Sequence, residues 1–592
     1  MKYLQTLILA LLLPIISIAQ QVNLPVGFAP GEKEQMQAYL QSRLQLNRGI
    51  QSPPPFQNIR TMAEWEEIQS LVVTWTSYIP TVREIVRYAR LECQVIIICA
   101  DSNQVKSNLT SNGIPLSNIA YIEADYNTVW MRDYGPNTVY ANDVDSLFLV
   151  DWIYNRPRPD DDVLPDEIAQ SKGLNLYSTT ALPYDLVHTG GNFMADGLGT
   201  AFSSELILDE NAAGGQYNLS DKSEADIDAL MGAFMGINRY AKMPVLPYDG
   251  IHHIDMHMKL LDEETLLMGE YPTGIADGPQ IEANLLYVLN NYPTAFNNPY
   301  KIVRVQMPPG SNGNYPDSQP WWNAGEYRTY TNSVFINKTL LVPIYDERYD
   351  TTALRIMREQ LPGYKVVGID CNDIIQASGA LHCITRAIGV NDPLWIAHPP
   401  LADTYETSNP YELYAKIKHR SGIQEANVYY STDTTQGYQP ISMTLTDPTN
   451  DIWSAYIPAQ LPQTEVFYYI HATANEGKTQ VRPITAPEGY WKFQVLGTAA
   501  SIDEQLPSAS LQPAFPNPAS AITCIPILTT RPTHIQISLH DLMGREILQI
   551  ANEKTTLGQQ HYFFNAQNIP TGTYILHLNT PTHQQSQKIL IH

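Results

Sequence analysis

At 592 residues the chain exceeds what one hydrophobic core supports, a limit near roughly 250–300 residues, so a single-domain protein is excluded. A formal charge of −24 at pH 7 argues against nucleic acid and anionic lipid, because phosphate binding rests on lysine and arginine neutralising it. The acidity favours a cationic ligand, or simply keeps an exported protein soluble.

The first 19 residues carry Lys2, an apolar run over 7–18 and the small residues Ser17 and Ala19, the pattern of a cleaved export signal. Gln20 and Gln21 interrupt too early for a membrane span, and no later segment is long and apolar enough for one. Residues 20–50 show helical spacing at Met36, Tyr39, Leu40 and Leu44, are broken by Pro53-Pro54-Pro55 just beyond, and read as a prosegment or arm. From 51 to 397, strand-like runs (70–75, 95–100, 147–152, 266–268, 333–343) alternate with helical ones (81–91, 225–235, 350–360), which describes an α/β domain.

Composition shifts after Pro399-Pro400. Short alternating strands within 398–497 (411–417, 427–430, 441–445, 453–457, 466–471, 490–495) suggest a β-sandwich of immunoglobulin type without its cysteines. A linker rich in Ser, Ala, Pro and Gln at 498–512 leads to a last β-rich module, 513–592. Of the five cysteines, too few for a disulfide scaffold and odd in number, Cys93 and Cys99 flank a buried-strand pattern and read as core residues.

Cys383 stands out, delivered by the glycine-hinged turn Ser378-Gly379-Ala380-Leu381-His382-Cys383. Three distant segments offer it partners. Residues 253–260, taken as a strand, put His253, Asp255, His257 and Lys259 on one face, so His253 and Asp255 project together about 7 Å apart. They suit acid–base work, a three-ligand metal site with His257, or a solvated strand face. Residues 130–136 read as a strand end and turn presenting Asp133, with Trp130 and Arg132 beside it. Arg156 and Arg158, two apart in a proline-stiffened extended segment, point the same way like tines and suit a carboxylate, or neutralise Asp160–Asp162.

The ordered set Trp130-x-Arg132-Asp133-Tyr134-Gly135-Pro136, Gly190-Gly191-Asn192, His253-x-Asp255, Tyr330-x-Asn332 and His382-Cys383-x-Thr385 resembles the agmatine deiminase superfamily, and within it the secreted bacterial peptidylarginine deiminases. The resemblance implies a five-bladed α/β propeller of ββαβ units followed by an immunoglobulin-like domain. It implies Cys383 as nucleophile, His253 as acid and base, Asp133 and Asp255 gripping a guanidinium, and Arg156 and Arg158 clasping a peptide's terminal carboxylate, with Trp130 and Asn332 lining the substrate. No cofactor and no catalytic metal are implied. His188-Thr189-Gly190-Gly191 departs from the Glu-Gly-Gly of the agmatine hydrolases, which points to arginine on peptides. The tail motifs Pro516-Asn517-Pro518, Asp541-Leu542-Met543-Gly544-Arg545 and Pro570-Thr571-Gly572-Thr573-Tyr574 resemble the C-terminal sorting domain of type IX secretion, which implies that machinery as a partner and a secreted or surface-attached product. The expected activity is conversion of peptidyl, preferably C-terminal, arginine to citrulline and ammonia. A small-molecule agmatine or free-arginine deiminase, a metallohydrolase and an exported adhesin stand as alternatives.

Overall fold

The computed structural model describes residues 23–44, 48–213, 217, 220–317, 326–496 and 507–592; the expected export signal at 1–19 and most of the expected linker lie outside them. The first long strand pair shows why the chain folds as it does. Gln94–Cys99, a run of β-branched residues, lies parallel between Ile68–Thr74 and Ile119–Glu123 and is apolar on both faces, as a central parallel strand must be. Helices start on defined caps. Asp346 accepts from the N–H of Arg348 to begin Glu347–Gln360, and Ser223 with Asp226 forms a capping box before Glu224–Met235, which ends on Gly236 at φ 69°.

One unit recurs in this region: a short strand pairs antiparallel with a longer one, and a helical crossover returns to a third strand parallel to the second. Asn137–Ala141, Ser146–Tyr154 and Leu176–Thr179 form one such set, and Met194–Ala195, Thr200–Ser204 and Arg239–Met243 the next. Met258–Leu260, Thr265–Glu270 and Lys301–Gln306 follow, then Val334–Ile336, Thr339–Ile344 and Lys365–Asp370. The last set joins the two ends of the region, Arg386–Gly389 pairing antiparallel with Ile68–Thr74. These five sheets are separate, and no closed sheet is found among the described residues. The fold is mixed α/β, with a main core that runs through several of the sheets and includes Trp130, Met131, Met256 and Cys383.

Beyond it, a four-stranded and a five-stranded antiparallel sheet share one core, Leu413, Ala415 and Ile457 meeting Val428, Val466, Tyr468 and Phe493. Two further antiparallel sheets between Ala509–Leu511 and Gln584–Ile591 enclose a separate core around Ile525, Ile537, Leu576 and Ile589.

Three local expectations are corrected. Residues 253–260 are not one strand: Ile254–Met256 is a 3-10 turn and only Met258–Leu260 is extended, so the shared face of His253, Asp255 and His257 does not form. Residues 130–136 hold a short helix, Met131–Tyr134, in place of a strand end. The run 333–343 is a hairpin turning at Asn337, φ 48°, a left-handed position that asparagine tolerates.

Candidate active site

Five short lead-in segments, one before the first strand of each sheet, converge. Met131–Tyr134 precedes Asn137–Ala141, and Gly190–Asn192 precedes Met194–Ala195. Ile254–Met256 precedes Met258–Leu260, Asn332 precedes Val334–Ile336, and His382–Ile384 precedes Arg386–Gly389. The repeated unit thus delivers Asp133, Gly191, Asp255, Asn332 and Cys383 from equivalent positions.

Their contacts are direct. The Cys383 thiol accepts from Asn332 Nδ2 at 3.2 Å and lies 3.6 Å from Asp255 Oδ2. Asn332 Oδ1 accepts from the His382 N–H at 2.9 Å, which ties the turn that carries Cys383 to the neighbouring sheet. His253 Nδ1 stands 3.6 Å from Asp133 Oδ1, and that oxygen accepts from the Gly191 N–H at 3.2 Å. Gly191 must be glycine, because a Cβ there would lie 2.4 Å from His253 Nδ1 and 2.9 Å from Asp133 Oδ1. All of these side chains are buried, Cys383 at 0% exposure. Asp255 Oδ1 and His253 Nε2 carry no hydrogen bond, although buried polar atoms are almost always paired. They are acceptor sites in a pocket with carboxylates at hand, as a guanidinium requires.

The electrostatics match. Burial, and then the Asp255 charge, push the Asp133 carboxyl up to about 7, against the pull of Arg156, Thr189 and Gly191. Burial, then Asp255 and Asp133, hold the Cys383 thiol well above its ordinary value, so the thiol is protonated. Burial, then the charge of Arg156, keeps His253 far below its usual range and therefore neutral.

Supporting groups include one that sequence reasoning missed. Glu64 binds His382 Nε2 at 2.5 Å, Lys259 Nζ at 2.6 Å and Arg132 Nη1 at 3.3 Å, while His382 Nδ1 meets Asp255 Oδ2 at 2.7 Å. Burial alone would raise Glu64, but His382, Lys259 and Arg132 outweigh it and hold it well below the carboxylate range. No local pattern around Glu64 signals this role, since its partner His382 is 318 residues away.

The arginine pair differs from expectation. The Arg158 N–H donates to Arg156 O at 2.8 Å, so the chain turns between them, yet both guanidinium groups reach residues 25–27. Arg158 grips the carboxylate of Glu32 with Nε at 2.9 Å and Nη2 at 3.0 Å. Arg156 donates to Val26 O at 3.0 Å and lies 4.3 Å from the Phe28 ring centroid. Neither forms an ion pair with Asp160–Asp162, although the Arg158 charge acts on Asp161 from a distance: Asp161 accepts from Asn127 and Thr128, and Asp162 pairs with Arg43. Trp130 Nε1 donates to Leu24 O at 2.9 Å. His188 sits in an aromatic pocket, 4.4 Å from the Trp152 ring centroid and bonded to the Tyr240 hydroxyl. His257 is buried with both ring nitrogens unbonded, and no group of His, Cys, Asp and Glu among the described residues has a metal-binding arrangement. All five cysteines are free and buried.

Comparisons with known proteins agree with this chemistry. The family model of the Porphyromonas-type peptidyl-arginine deiminase matches residues 60–388, more than half of the chain, and the chain belongs to that family. It is therefore a deiminase, an amidine C–N hydrolase by class. The secretion system C-terminal sorting domain matches 513–592, which marks the protein for export by the type IX machinery and for secretion or surface attachment. No helix among the described residues is long and apolar enough to cross a membrane. Proteins named "Putative agmatine deiminase" from Mycoplasma capricolum subsp. capricolum and from Vibrio parahaemolyticus serotype O3:K6 are each 24% identical, over 45% and 46% of this chain and 77% and 78% of theirs. A solved structure of the same name is 19% identical with a TM-score of 0.50, covering 58% of this chain and all of the other, and shares the fold. An arginine deiminase structure from Porphyromonas gingivalis, 20% identical, gives 0.48 over 56% of this chain and 98% of its own.

Proposed function

We propose that the protein is a secreted protein-arginine deiminase that converts peptidyl arginine, preferably at a C-terminus, to citrulline and ammonia. The observation that carries this reading is a buried cluster in which the Cys383 thiol meets the Asn332 amide and the Asp255 carboxylate, with the Asp133 carboxylate and the His253 imidazole paired close enough for Asp133 to act on the thiol's charge. Asp133 and Asp255 grip the fork of guanidinium donors and hold the central carbon before the thiol. The arriving cation cancels the two negative charges that keep the thiol protonated, so the substrate promotes its own nucleophile.

Neutral His253 accepts the thiol proton. The thiolate adds to the guanidinium carbon, and His253 returns a proton to one nitrogen, which leaves as ammonia. A thiouronium cation remains on Cys383. His253 then takes a proton from water as the hydroxide adds, the C–S bond breaks, and citrulline departs with the thiol restored. No cofactor or metal ion has a step in this scheme.

Peptide preference is supported by Arg158, which holds a carboxylate by two nitrogens, and by the sorting domain, which sends the protein where peptides and proteins are met. The same reading arranges the five sheets as blades about one axis (51–397), gives 398–497 immunoglobulin character, and leaves 20–50 as a prosegment or arm and 498–512 as linker. A second reading, agmatine or free-arginine deiminase, is favoured by the names of the relatives. Purified protein given a peptide ending in arginine should release ammonia and add about one dalton to the peptide. Turnover of agmatine alone would establish the second reading, and no product from either substrate under reducing conditions would end both. Arg156→Ala with Arg158→Ala should weaken free-carboxylate peptides far more than internal arginines.

A further inference from the structure

Three of the four residues expected to bind substrate, Trp130, Arg156 and Arg158, all bind one stretch of the chain itself, while Asn332 meets Cys383. Residues 23–31 run irregularly before the helix Glu32–Arg43. Along this stretch the carbonyls are taken in turn: Leu24 O by Trp130 Nε1 at 2.9 Å, Pro25 O by Arg158 Nη2 at 2.8 Å, Val26 O by Arg156 Nε at 3.0 Å, and Gly27 O by Arg158 Nη2 at 2.9 Å. The Val26 N–H donates to Ala377 O at 3.2 Å, on the loop that carries the nucleophile. A Cβ on Gly379 would lie 3.1 Å from both the Val26 side chain and the Cys383 Cβ, so Val26 packs beside the thiol's own turn. Glu32 then places its carboxylate in the fork of Arg158, with its other contact the Ala29 N–H at 2.7 Å.

We infer that residues 24–32 occupy the enzyme's own substrate cleft as a peptide would, that Glu32 fills the seat of the substrate's terminal carboxylate, and that the chain is latent until this arm leaves. The inference rests on the deiminase reading for the identity of the ligand displaced. It also distinguishes the arginine pair: Arg158 reads the carboxylate and two backbone carbonyls together, and Arg156 reads backbone alone. The arm is anchored from behind. Met36, Tyr39 and Leu40 pack with Ile153 and Val187, and Arg43 pairs with Asp151 at 3.3 Å and with Asp162, all buried. Tethered occupancy acts at an effective concentration of order millimolar, which a free peptide at lower concentration does not overcome.

The test uses a chain beginning at Gln20 with a site-specific protease sequence inserted after Leu44, cut after folding. Two readouts are followed: the rate at which chloroacetamidine, an alkylating amidine, modifies Cys383, read by peptide mapping, and ammonia release from a peptide ending in arginine. Cutting followed by gel filtration should raise both by at least about tenfold. Glu32→Gln in the uncut chain should raise both by a smaller factor, since it removes one charge-assisted pair. A synthetic peptide of residues 20–44 should restore the block in trans, and its Glu32→Gln version should do so poorly. In the cut protein Arg158→Gln should raise KM for the free-carboxylate peptide far more than for its C-terminal amide, which loses only backbone contacts; an equal rise for both would overturn the carboxylate seat. Equal alkylation of Cys383 before and after cutting, or no block by the 20–44 peptide, would overturn the plug. Faster alkylation after cutting with no ammonia from any arginyl peptide or agmatine would uphold the plug and remove the deiminase reading.

Discussion

At the scale of single residues the site is built to be inert without a cation. Asp133 and Asp255 both raise the thiol of Cys383, and Asp133 itself titrates near 7 under burial and its neighbour's charge. A carboxyl must be ionised to grip a guanidinium, so kcat/KM for an arginyl peptide should rise with pH through about 7 as Asp133 loses its proton. A pH–rate profile checks this, and an acid limb near 4 would show that Asp133 is already ionised in the free enzyme. Asp133→Asn should remove that limb and lower kcat/KM by about a thousandfold or more, because a desolvated charge pair is lost. Asn332 joins two jobs, donating to the thiol and accepting from the turn that carries it. Asn332→Ala should therefore cut kcat by about ten- to a hundredfold with little change in circular dichroism, and an unchanged kcat would deny it a positioning role.

At the scale of elements, the lead-in turns matter more than the strands they precede. Gly191 belongs to one such turn and touches two others, so Gly191→Ala drives a methyl against His253 and Asp133. The expected result is a fall in kcat/KM of about a hundredfold or more, with a loss of about 1–3 kcal/mol of stability. Steady-state kinetics and thermal unfolding measured together separate the two effects; undiminished activity would mean the turn has room to shift.

The turns also explain what the sequence made legible. Cys383 and Asp133 stand out beside glycine and tryptophan, Asp255 stands out among the histidines 252–257, and Asn332 enters only through the family resemblance. The secondary structure differs at 253–260, where polar and apolar residues alternate as in a strand although Ile254–Met256 is a 3-10 turn flanked by His253 and His257. Periodicity cannot tell the two apart over four residues. The hairpin inside 333–343 was hidden because both of its strands are apolar and only Asn337 marks the bend. Glu64 could not be found at all, since an ion network assembled across hundreds of residues leaves no local spacing.

At the scale of the whole molecule, an unusual number of carboxyls are buried. Asp133, Asp161, Glu210 and Glu263 are pushed up to about 7 and Asp249 to about 8, each chiefly by burial. Between about pH 4 and these values the folded chain holds more protons than the unfolded one, so stability falls as pH rises through that window. Below about pH 6.5 the imidazoles of His188, His253, His257 and His398, each lowered chiefly by burial, work in the opposite sense, because only the unfolded chain takes up their protons. The unfolding temperature should therefore decline from about pH 6.5 to pH 8 at constant ionic strength, where only the carboxyls still titrate; calorimetry showing a rise there would mean these carboxyls are ionised at little cost. The α/β alternation, the β-rich regions and the tail motifs were readable from pattern. The fivefold recurrence was not, because each unit is held by backbone pairing and burial, which many different side chains satisfy.

The sheet that joins Arg386–Gly389 to Ile68–Thr74 has a consequence for how activity arises. The nucleophile lies three residues before the strand that closes this region, and the partner of that strand is made about 300 residues earlier. Such long sequence separation makes the pairing a slow, late folding event. A nascent or stalled chain thus lacks the reactive sulfur and the final zip together, and chemistry becomes available only once both ends of the region have met.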